Sequence, residues 1–190
     1  HWHGGNREGG ALSFMRPISE AEMKLAEFLD MGETLRKGEL AALEQHRAGK
    51  GTPPLLFKAV GRPKADLPEG SPMIFVASEE TPDRMGDVLH TEGWDLTAFQ
   101  KNPVFMFSHD HSRPPIGRVM RVWTEEHQLL AVVAFDPMDE FARQIEGKYR
   151  RGFMSAVSVG FRPLEYSNLP GGGIEFTKQE LVELSAVPIP

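Results

Sequence analysis

The amino-acid sequence predicts an α+β fold, with a mostly antiparallel sheet that forms part of a barrel and with helices before and within it. Three observations predict it. Four β-rich runs follow one another between residues 73 and 135, each bounded by Pro, Gly or charged residues. A stretch with helical periodicity comes next, at residues 136–152, and two further β-rich stretches follow it. A helix-forming stretch also precedes the strands.

This first helical stretch covers residues 18–49. Ser19 and Glu22 form the S-x-x-E pattern of a capping box, which is typical of a helix start. Gly32 and Gly38 interrupt the apolar pattern, so we expect two short helices rather than one long helix.

The chain divides into two parts around this stretch. Residues 1–17 are rich in Gly and polar residues and predict a disordered arm, and Gly and Pro residues near position 50 form a linker. We therefore expect residues 1–55 to form a flexible arm and helical extension, and residues 56–190 to form the main domain.

The four β-rich runs indicate an antiparallel meander. Residues Thr124 to His127 are polar and form a plausible hairpin connection between the last two runs. The runs are Met73–Ala77, Val104–Phe107, Ile116–Trp123 and Leu129–Phe135.

The helix after the meander has clear start and stop signals. Asp136 is suited to the N-cap and Pro137 to the first helical position, while Gly152 is suited to the position after the last turn. One apolar stripe indicates the buried face: Met138, Phe141, Ala142, Ile145 and Tyr149.

The last two strands are predicted at Phe153–Phe161 and at about Ile174–Val187, separated by a turn at Gly171–Gly173. In the first of them, alternate residues from Phe153 to Phe161 are bulky and should face the core. The opposite face is small near Ser158 and Gly160, which would let a substrate backbone come close.

Composition excludes several kinds of site and partner. The 190 residues include no cysteine, which excludes disulfides, a thiol nucleophile and Cys-ligated zinc or iron–sulfur sites. The net charge of −6 argues against a nucleic-acid partner, and the longest apolar run, Leu129–Phe135, is too short to span a membrane. We expect no cofactor. The chain begins with His1 and ends directly after an apolar run, so we expect it to be a piece of a longer reading frame.

His109 is the candidate general base. It follows the run Val104–Phe107, and strand alternation would place it on the same face as Phe105 and Phe107, partly buried. The alternatives are a strand-end histidine that only forms hydrogen bonds, and a metal site made of His109, Asp110 and His111. Adjacent strand residues point to opposite faces, which disfavours the metal site.

Ser158 is the candidate nucleophile, because it lies on the small face of its strand. Ser155 lies on the bulky face, so we expect it to be a buried hydroxyl that bonds to the backbone. Serine in a strand is more often structural than catalytic.

Glu183 is the candidate third residue. Its neighbours Val182 and Leu184 are apolar, and a carboxylate in such surroundings is costly unless a group such as histidine compensates its charge. The alternatives are an exposed glutamate at a strand edge, and Glu180 in the same role.

Together these segments resemble the prohead (capsid maturation) serine proteases of tailed phages. The resemblance covers about residues 70–190, and the N-terminal 55 residues show none. A strand ending in His-Asp precedes a Pro-Ile-Gly hairpin, and after a helix come Arg-Gly, a Ser-Val-Gly-Phe strand and a Glu-Leu-x-Glu-Leu-Ser segment. In this chain they are Phe107-Ser108-His109-Asp110, Pro115-Ile116-Gly117, Arg151-Gly152, Ser158-Val159-Gly160-Phe161 and Glu180 to Pro188. The stretches Val76–Glu79, Asp83–Asp87 and Gly93–Leu96 are similar to the start of the family pattern.

The resemblance implies a herpesvirus-protease-like β-barrel ringed by helices, truncated here at the C-terminus because the usual Ala-Asn-Pro tail is lacking. It implies a serine endopeptidase in the host cytoplasm, inside the assembling prohead. Its substrates would be the scaffold protein, the scaffolding segment of the major capsid protein and the enzyme itself. A homodimer is a further possibility.

By motif position, the resemblance makes Ser158 the nucleophile, His109 the base and Glu183 the third member of a catalytic triad. Two backbone N–H groups, or the side chain of Arg150 or Arg151, would hold the oxyanion. The rival functions are a non-catalytic capsid-assembly or scaffold-binding module with the same fold, and a metal-dependent hydrolase.

Overall fold

The computed structural model of the protein describes residues 36–60 and 71–189. These residues contain helix α1 at residues 36–47, helix α2 (Glu140–Arg150) and two short 3-10 turns at Thr91–Gly93 and Phe99–Lys101. They also contain nine strands: β1 (Leu56–Val60), β2 (Met73–Glu79), β3 (Val88–Leu89), β4 (Trp94–Asp95), β5 (Val104–Phe107), β6 (Gly117–Glu125), β7 (Gln128–Phe135), β8 (Ala156–Asn168) and β9 (Ile174–Val187).

All nine strands join one sheet with the order β1-β8-β9-β5-β6-β7-β2, and β3 and β4 pair separately with β9. The pairs of β9 with β3, β4 and β5 are parallel, and the other pairs are antiparallel. The two end strands of this order, β1 and β2, contact each other, which shows that the sheet is curled. The predicted α+β fold with a mostly antiparallel sheet is confirmed. The predicted ring of helices is not found among the described residues, whose α-helices are α1 and α2. The herpesvirus-like form stays a prediction.

One face of the curled sheet and one side of α2 form the core. Alternate residues of the strands point inwards, as the period of two requires. Fully buried members include Phe75, Phe105, Leu129, Val133, Val157, Phe161, Phe176 and Leu181, and α2 contributes Ala142, Ile145 and Tyr149. The long β8–β9 hairpin lies between β1 and β5 in the sheet, so each of its two strands is paired on both sides.

The four predicted runs of the meander correspond to β2, β5, β6 and β7, with bounds within two residues of those expected. The hairpin between β6 and β7 is also confirmed. Its two connecting residues, Glu126 and His127, have φ angles of 46° and 65°. Left-handed φ at both positions suits the twist of a two-residue hairpin.

Helix α2 starts later than predicted. Asp139, not Asp136, is the N-cap, and its side chain accepts a hydrogen bond from the Phe141 backbone N–H. Asp136 instead accepts from the Met138 N–H in the turn before the helix, and Met138 is exposed. Either aspartate can cap a helix end, so the local sequence did not distinguish them. The predicted end is confirmed, since Gly152 follows the helix with a φ angle of 78°.

Strand β8 also starts later, at Ala156 rather than Phe153, and continues to Asn168. The N–H groups of Phe153 and Met154 bond to the Lys148 carbonyl and complete the end of α2. Phe153 is therefore exposed by 77%, and the prediction that it faces the core was wrong. Ser155 is also exposed, so the predicted buried hydroxyl was wrong as well.

Only part of the predicted N-terminal extension, from residue 36 onwards, lies within the described residues. Helix α1 passes through Gly38 without a break, because one exposed glycine costs a helix only about 1 kcal/mol. The arm, Ser19, Glu22 and Gly32 lie outside the described residues. The chain divides into two units between residues 41 and 42, and Leu43 belongs to the core of the second unit. The boundary after residue 55 stays a prediction. Among the described residues, no helix has the length and hydropathy needed to cross a membrane.

Candidate active site

The three candidate residues come from three neighbouring parts of the sheet. Ser158 pairs with Ser185 across the β8–β9 hairpin, and Gly160 pairs with Glu183. Because alternate residues share a face, these four residues lie on the face opposite the core. His109 follows β5, which pairs with β9 on its other side. The β8–β9–β5 arrangement therefore brings all three candidates to one end of the outer face.

His109 reaches this face through a tight turn. Ser108 and His109 have φ angles of 51° and 56°, and the Asp110 N–H bonds to the Phe107 carbonyl at 3.1 Å. Strand alternation ends at Phe107, so the prediction that His109 shares the face of Phe105 was wrong, although its side chain is largely buried as expected. Left-handed φ at a residue other than glycine costs about 1–3 kcal/mol and is typical of functional sites.

The side chains of Ser158, His109 and Glu183 form one hydrogen-bonded chain. Glu183 Oε1 contacts His109 Nδ1, and His109 Nε2 lies 2.8 Å from Ser158 Oγ. A carboxylate only accepts hydrogen bonds, so Nδ1 carries the proton and donates a hydrogen bond to Glu183. Nε2 is then the unprotonated nitrogen and accepts from the Ser158 hydroxyl. This is the tautomer that a general base next to serine requires.

Glu183 is 2% exposed, and three groups surround its carboxylate. His109 contacts Oε1, whereas Oε2 lies 3.2 Å from His111 Nε2 and accepts a hydrogen bond from Ser185 Oγ at 3.3 Å. These contacts compensate the loss of hydration of a buried carboxylate. Ser185 Oγ also accepts a hydrogen bond from the His109 backbone N–H. It therefore connects the histidine turn to β9.

Glu180, the alternative third residue, lies elsewhere on β9. Its carboxylate is 3.7 Å from the Arg162 guanidinium, and the pair is partly exposed. The carboxylate that contacts His109 is that of Glu183.

Gly160 and Phe57 enclose the His109–Glu183 pair. A Cβ atom at position 160 would lie 2.6 Å from Glu183 Cγ, closer than van der Waals contact allows, and 3.1 Å from the Phe57 ring. Phe57 lies on β1, and its ring centroid is 4.0 Å from that of His109. The space at Gly160, which was predicted to admit a substrate backbone, is filled by these two side chains of the protein itself.

The histidines near the triad do not form the alternative metal site with Asp110. Asp110 is partly exposed and accepts hydrogen bonds from Ser112, whereas His109 and His111 both contact Glu183. In residues 36–60 and 71–189, no group of three or more His, Asp or Glu side chains has the arrangement of a metal site.

Arg150, one of the two arginines proposed for the oxyanion, has other contacts. Its guanidinium donates to the Glu146 carboxylate and to the Ser71 carbonyl. A role for either arginine at the oxyanion stays a prediction.

Three residues of the site were not predicted from the sequence. Ser185 could have been found, because it is two residues after Glu183 on the same strand and therefore on the same face. His111 was considered only as a metal ligand. Phe57 gave no signal, because its contact with His109 depends on the pairing of β1 with β8.

Comparison with known proteins identifies the family. A family model described as caudovirus prohead serine protease matches residues 73–190. The chain belongs to this family. The match includes His109, Ser158 and Glu183, whereas β1 and Phe57 lie before it.

Two relatives are similar in sequence. The prohead protease of Escherichia phage T5 is 33% identical over 113 residues, which cover 57% of this chain and 52% of that protein. The capsid polyprotein of Pseudomonas phage PAJU2 is 31% identical over 123 residues, which cover 60% of this chain and 18% of that protein. The chain therefore spans about half or less of the length of these relatives.

A solved structure shares the fold. The capsid assembly protease of bacteriophage T4 matches with a TM-score of 0.57 and 12% sequence identity, covering 74% of this chain and all of that one. At this identity the match shows the fold alone.

Proposed function

We propose that the protein is a serine endopeptidase of prohead maturation, with Ser158 as nucleophile, His109 as general base and Glu183 as the residue that orients the base. The observation that carries this proposal is the hydrogen-bonded chain from Ser158 Oγ through His109 to Glu183. Membership of the prohead protease family supports the reaction class and the setting.

In the first half of the reaction, Ser158 Oγ attacks the carbonyl carbon of the scissile peptide bond. His109 Nε2 takes the hydroxyl proton as the new C–O bond forms. When the tetrahedral intermediate collapses, the C–N bond breaks and His109 gives its proton to the leaving amine. Glu183 stays ionised and stabilises the imidazolium that exists between these two proton transfers.

In the second half, water attacks the ester carbonyl of the acyl-enzyme. His109 takes a proton from the water and returns one to Ser158 Oγ as the C–O bond to the enzyme breaks. The products are a free carboxylic acid and the original enzyme. The buried Glu183 carboxylate keeps the same tautomer of His109 in both halves.

The substrates that fit this setting are the scaffold protein and the scaffolding segment of the major capsid protein, with the enzyme's own chain as a further substrate. The relatives named prohead protease and capsid polyprotein support these capsid substrates. The reaction would take place inside the assembling prohead, in the host cytoplasm. Assembly as a homodimer stays a prediction.

The test is coexpression of the full chain with the major capsid and scaffold proteins of the same phage, as wild type, Ser158→Ala and Ser155→Ala. Ser155 is a matched control, because it is an exposed serine three residues away. We expect Ser158→Ala to abolish cleavage and Ser155→Ala to leave it nearly unchanged. Loss of a nucleophile reduces kcat by about 10⁶-fold.

Labelling with a fluorophosphonate probe gives a second readout. We expect covalent labelling of Ser158 in the wild type and none in His109→Ala, because the hydroxyl needs its base. Cleavage that survives Ser158→Ala, or that a chelator abolishes, would favour a metal-dependent hydrolase. Absence of both labelling and cleavage in the wild type would favour the non-catalytic capsid-assembly module.

A further inference from the structure

A cavity of about 370 Å³ lies at the end of the sheet that carries the triad. At this end, β5, β7 and β9 finish and β6 and β8 begin. The loop at residues 108–116 has His109 as its second residue and ends in the cavity wall, to which Arg113 and Ile116 contribute. One short loop therefore connects the catalytic base to the cavity.

The inner surface of the cavity is apolar. Phe107 and Phe141 pack edge to face with their ring centroids 5.1 Å apart, and Ile116 and the two prolines at positions 114 and 115 complete the apolar lining. The volume falls within the range of about 300–1,000 Å³ that is typical of ligand pockets. Such a lining suits a long aliphatic or aromatic side chain.

Two carboxylates also line the cavity. Asp136 and Asp139 each use one oxygen to accept a backbone N–H, from Met138 at 2.8 Å and from Phe141 at 2.9 Å. In each group this leaves the second oxygen and the negative charge for a ligand.

Arg113 provides the one cationic side chain among the lining residues. Its guanidinium carbon lies 5.4 Å from the centroid of the Phe141 ring, its Nε lies 3.9 Å from the Asp110 carboxylate, and the side chain is mostly exposed. The cavity therefore combines an apolar lining with an excess of negative charge.

We propose that this cavity is the subsite that receives a lysine or arginine side chain of the peptide substrate, a few residues from the scissile bond. These two side chains have a long aliphatic stem, which matches the apolar lining, and a cationic end, which matches Asp136 and Asp139. Arg113 in the cavity wall is four residues from His109, and four residues span at most about 14 Å, so an extended peptide bound at Ser158 needs only a few residues to reach the cavity. The proposal rests on the endopeptidase function proposed above and adds its substrate class.

The test uses the full chain and a mixture of peptides of known, varied sequence, with the cleaved bonds identified by mass spectrometry. Wild type, Asp136→Asn/Asp139→Asn and Ser158→Ala are compared. Asparagine keeps the hydrogen bonds to the backbone N–H groups and removes only the charge. Asp95→Asn is the matched control, because Asp95 is an exposed aspartate that also accepts a backbone N–H two residues further on, that of Thr97.

We expect the bonds cleaved by the wild type and by Asp95→Asn to have Lys or Arg at one fixed position. The double variant should lose this preference. For a cleaved peptide with Lys or Arg at that position, kcat/KM of the double variant should be about 10- to 100-fold lower than kcat/KM of the wild type. For the analogue with norleucine at that position, the two values should differ less than about threefold.

The outcomes separate this proposal from the one on which it rests. Suppose that the wild type cleaves and that Ser158→Ala abolishes cleavage. If the cleaved bonds then show no preference for Lys or Arg, or if the double variant retains that preference, the subsite is overturned and the endopeptidase function stands. A preference for Asp or Glu that Arg113→Gln removes also overturns the subsite. A wild type that cleaves nothing overturns both proposals.

Discussion

Gly160 shows how a single hydrogen atom in place of a side chain shapes the site. A methyl group there would meet the Glu183 side chain at 2.6 Å. We expect Gly160→Ala to displace Glu183 from His109 and to lower kcat about 10- to 100-fold, because small displacements of catalytic groups have large effects on rate. The measurement is kcat on a cleaved peptide, with thermal unfolding to confirm that the variant is folded.

Gly171→Ala is the control for Gly160→Ala, since a Cβ at position 171 meets no atom within 4 Å. We expect it to retain wild-type kcat. Wild-type kcat in folded Gly160→Ala would show that the position of Glu183 does not matter for turnover.

The residues around His109 should also differ in their importance. We expect kcat to fall most in His109→Ala, by about 10⁶-fold, and less in Glu183→Gln, by about 10⁴-fold. In the proposed mechanism the histidine transfers the proton, whereas the glutamate only orients the histidine. His111→Ala should have the smallest effect, since Glu183 keeps its contacts with His109 and Ser185. The measurement is single-turnover cleavage by each folded variant. Equal losses in His109→Ala and Glu183→Gln would require a direct role for Glu183 in proton transfer.

At the scale of elements, strand β1 contributes to the site although it precedes the part of the chain that matches the family model. Its Phe57 ring packs on His109 and is 42% exposed. We expect Phe57→Ala to lower kcat several-fold, because the imidazole loses a neighbour that fixes its orientation, and to change KM less. Phe153→Ala, which removes a more exposed ring, should change neither. A change in KM alone would make Phe57 a substrate contact instead.

A second element-scale feature is the group of charged side chains at the other end of β9. His90 Nδ1 lies 2.9 Å from Glu80 and Nε2 lies 2.8 Å from Glu175, so both nitrogens donate only when the ring is protonated. The hydrogen bond to Glu175, with that to Glu80, raises the pKa of His90. His127 also faces Glu80, at 3.5 Å. The cluster joins β2, β9 and the β6–β7 hairpin.

This cluster predicts a pH dependence of stability. The pKa of His90 is higher in the folded protein than its ordinary value of about 6.5. The contribution of His90 to the free energy of unfolding is therefore complete below about pH 6.5 and is lost as the pH rises through the folded pKa. The Thr91 N–H lowers the pKa of Glu80, so the contribution of Glu80 is lost in acid instead. We expect the free energy of unfolding of the wild type, measured in urea, to fall above pH 6.5 more steeply than that of His90→Gln. Parallel curves for the two proteins would contradict this.

At the scale of the whole molecule, the part of the chain before β1 divides at residue 42. The Tyr166 hydroxyl lies 2.9 Å from His46 and donates to the Leu43 carbonyl, and Arg47 bonds to Asn168, so residues 42–47 pack on the β8–β9 hairpin. We expect a chain of residues 42–190 to unfold cooperatively in urea and to retain cleavage. A chain of residues 56–190 should be less stable by about 2–5 kcal/mol, because it loses at least the buried Leu43 side chain. Equal stability would support a removable extension that ends at residue 55.

The sequence by itself determined most of the elements and the identity of the three candidate residues. The apolar runs of β5 and β7 and the apolar stripe of α2 are local patterns, because each can be read within the sequence of its own element. The order of the His-Asp, Ser-Val-Gly-Phe and Glu-Leu-x-Glu segments indicated Ser158, His109 and Glu183. Where two nearby residues could serve equally, as at the start of α2, the sequence predicted the wrong one.

The tertiary structure alone decided how these residues meet. His109 is 49 residues from Ser158 and 74 from Glu183, and their contact depends on parallel pairing of β5 with β9 and on a turn with left-handed φ at Ser108 and His109. Neither leaves a local pattern, because strand pairing joins distant segments and the turn contains no glycine to mark it. For the same reason, the packing of Phe57 on His109 and the cavity beside Arg113 could be found only in the folded protein.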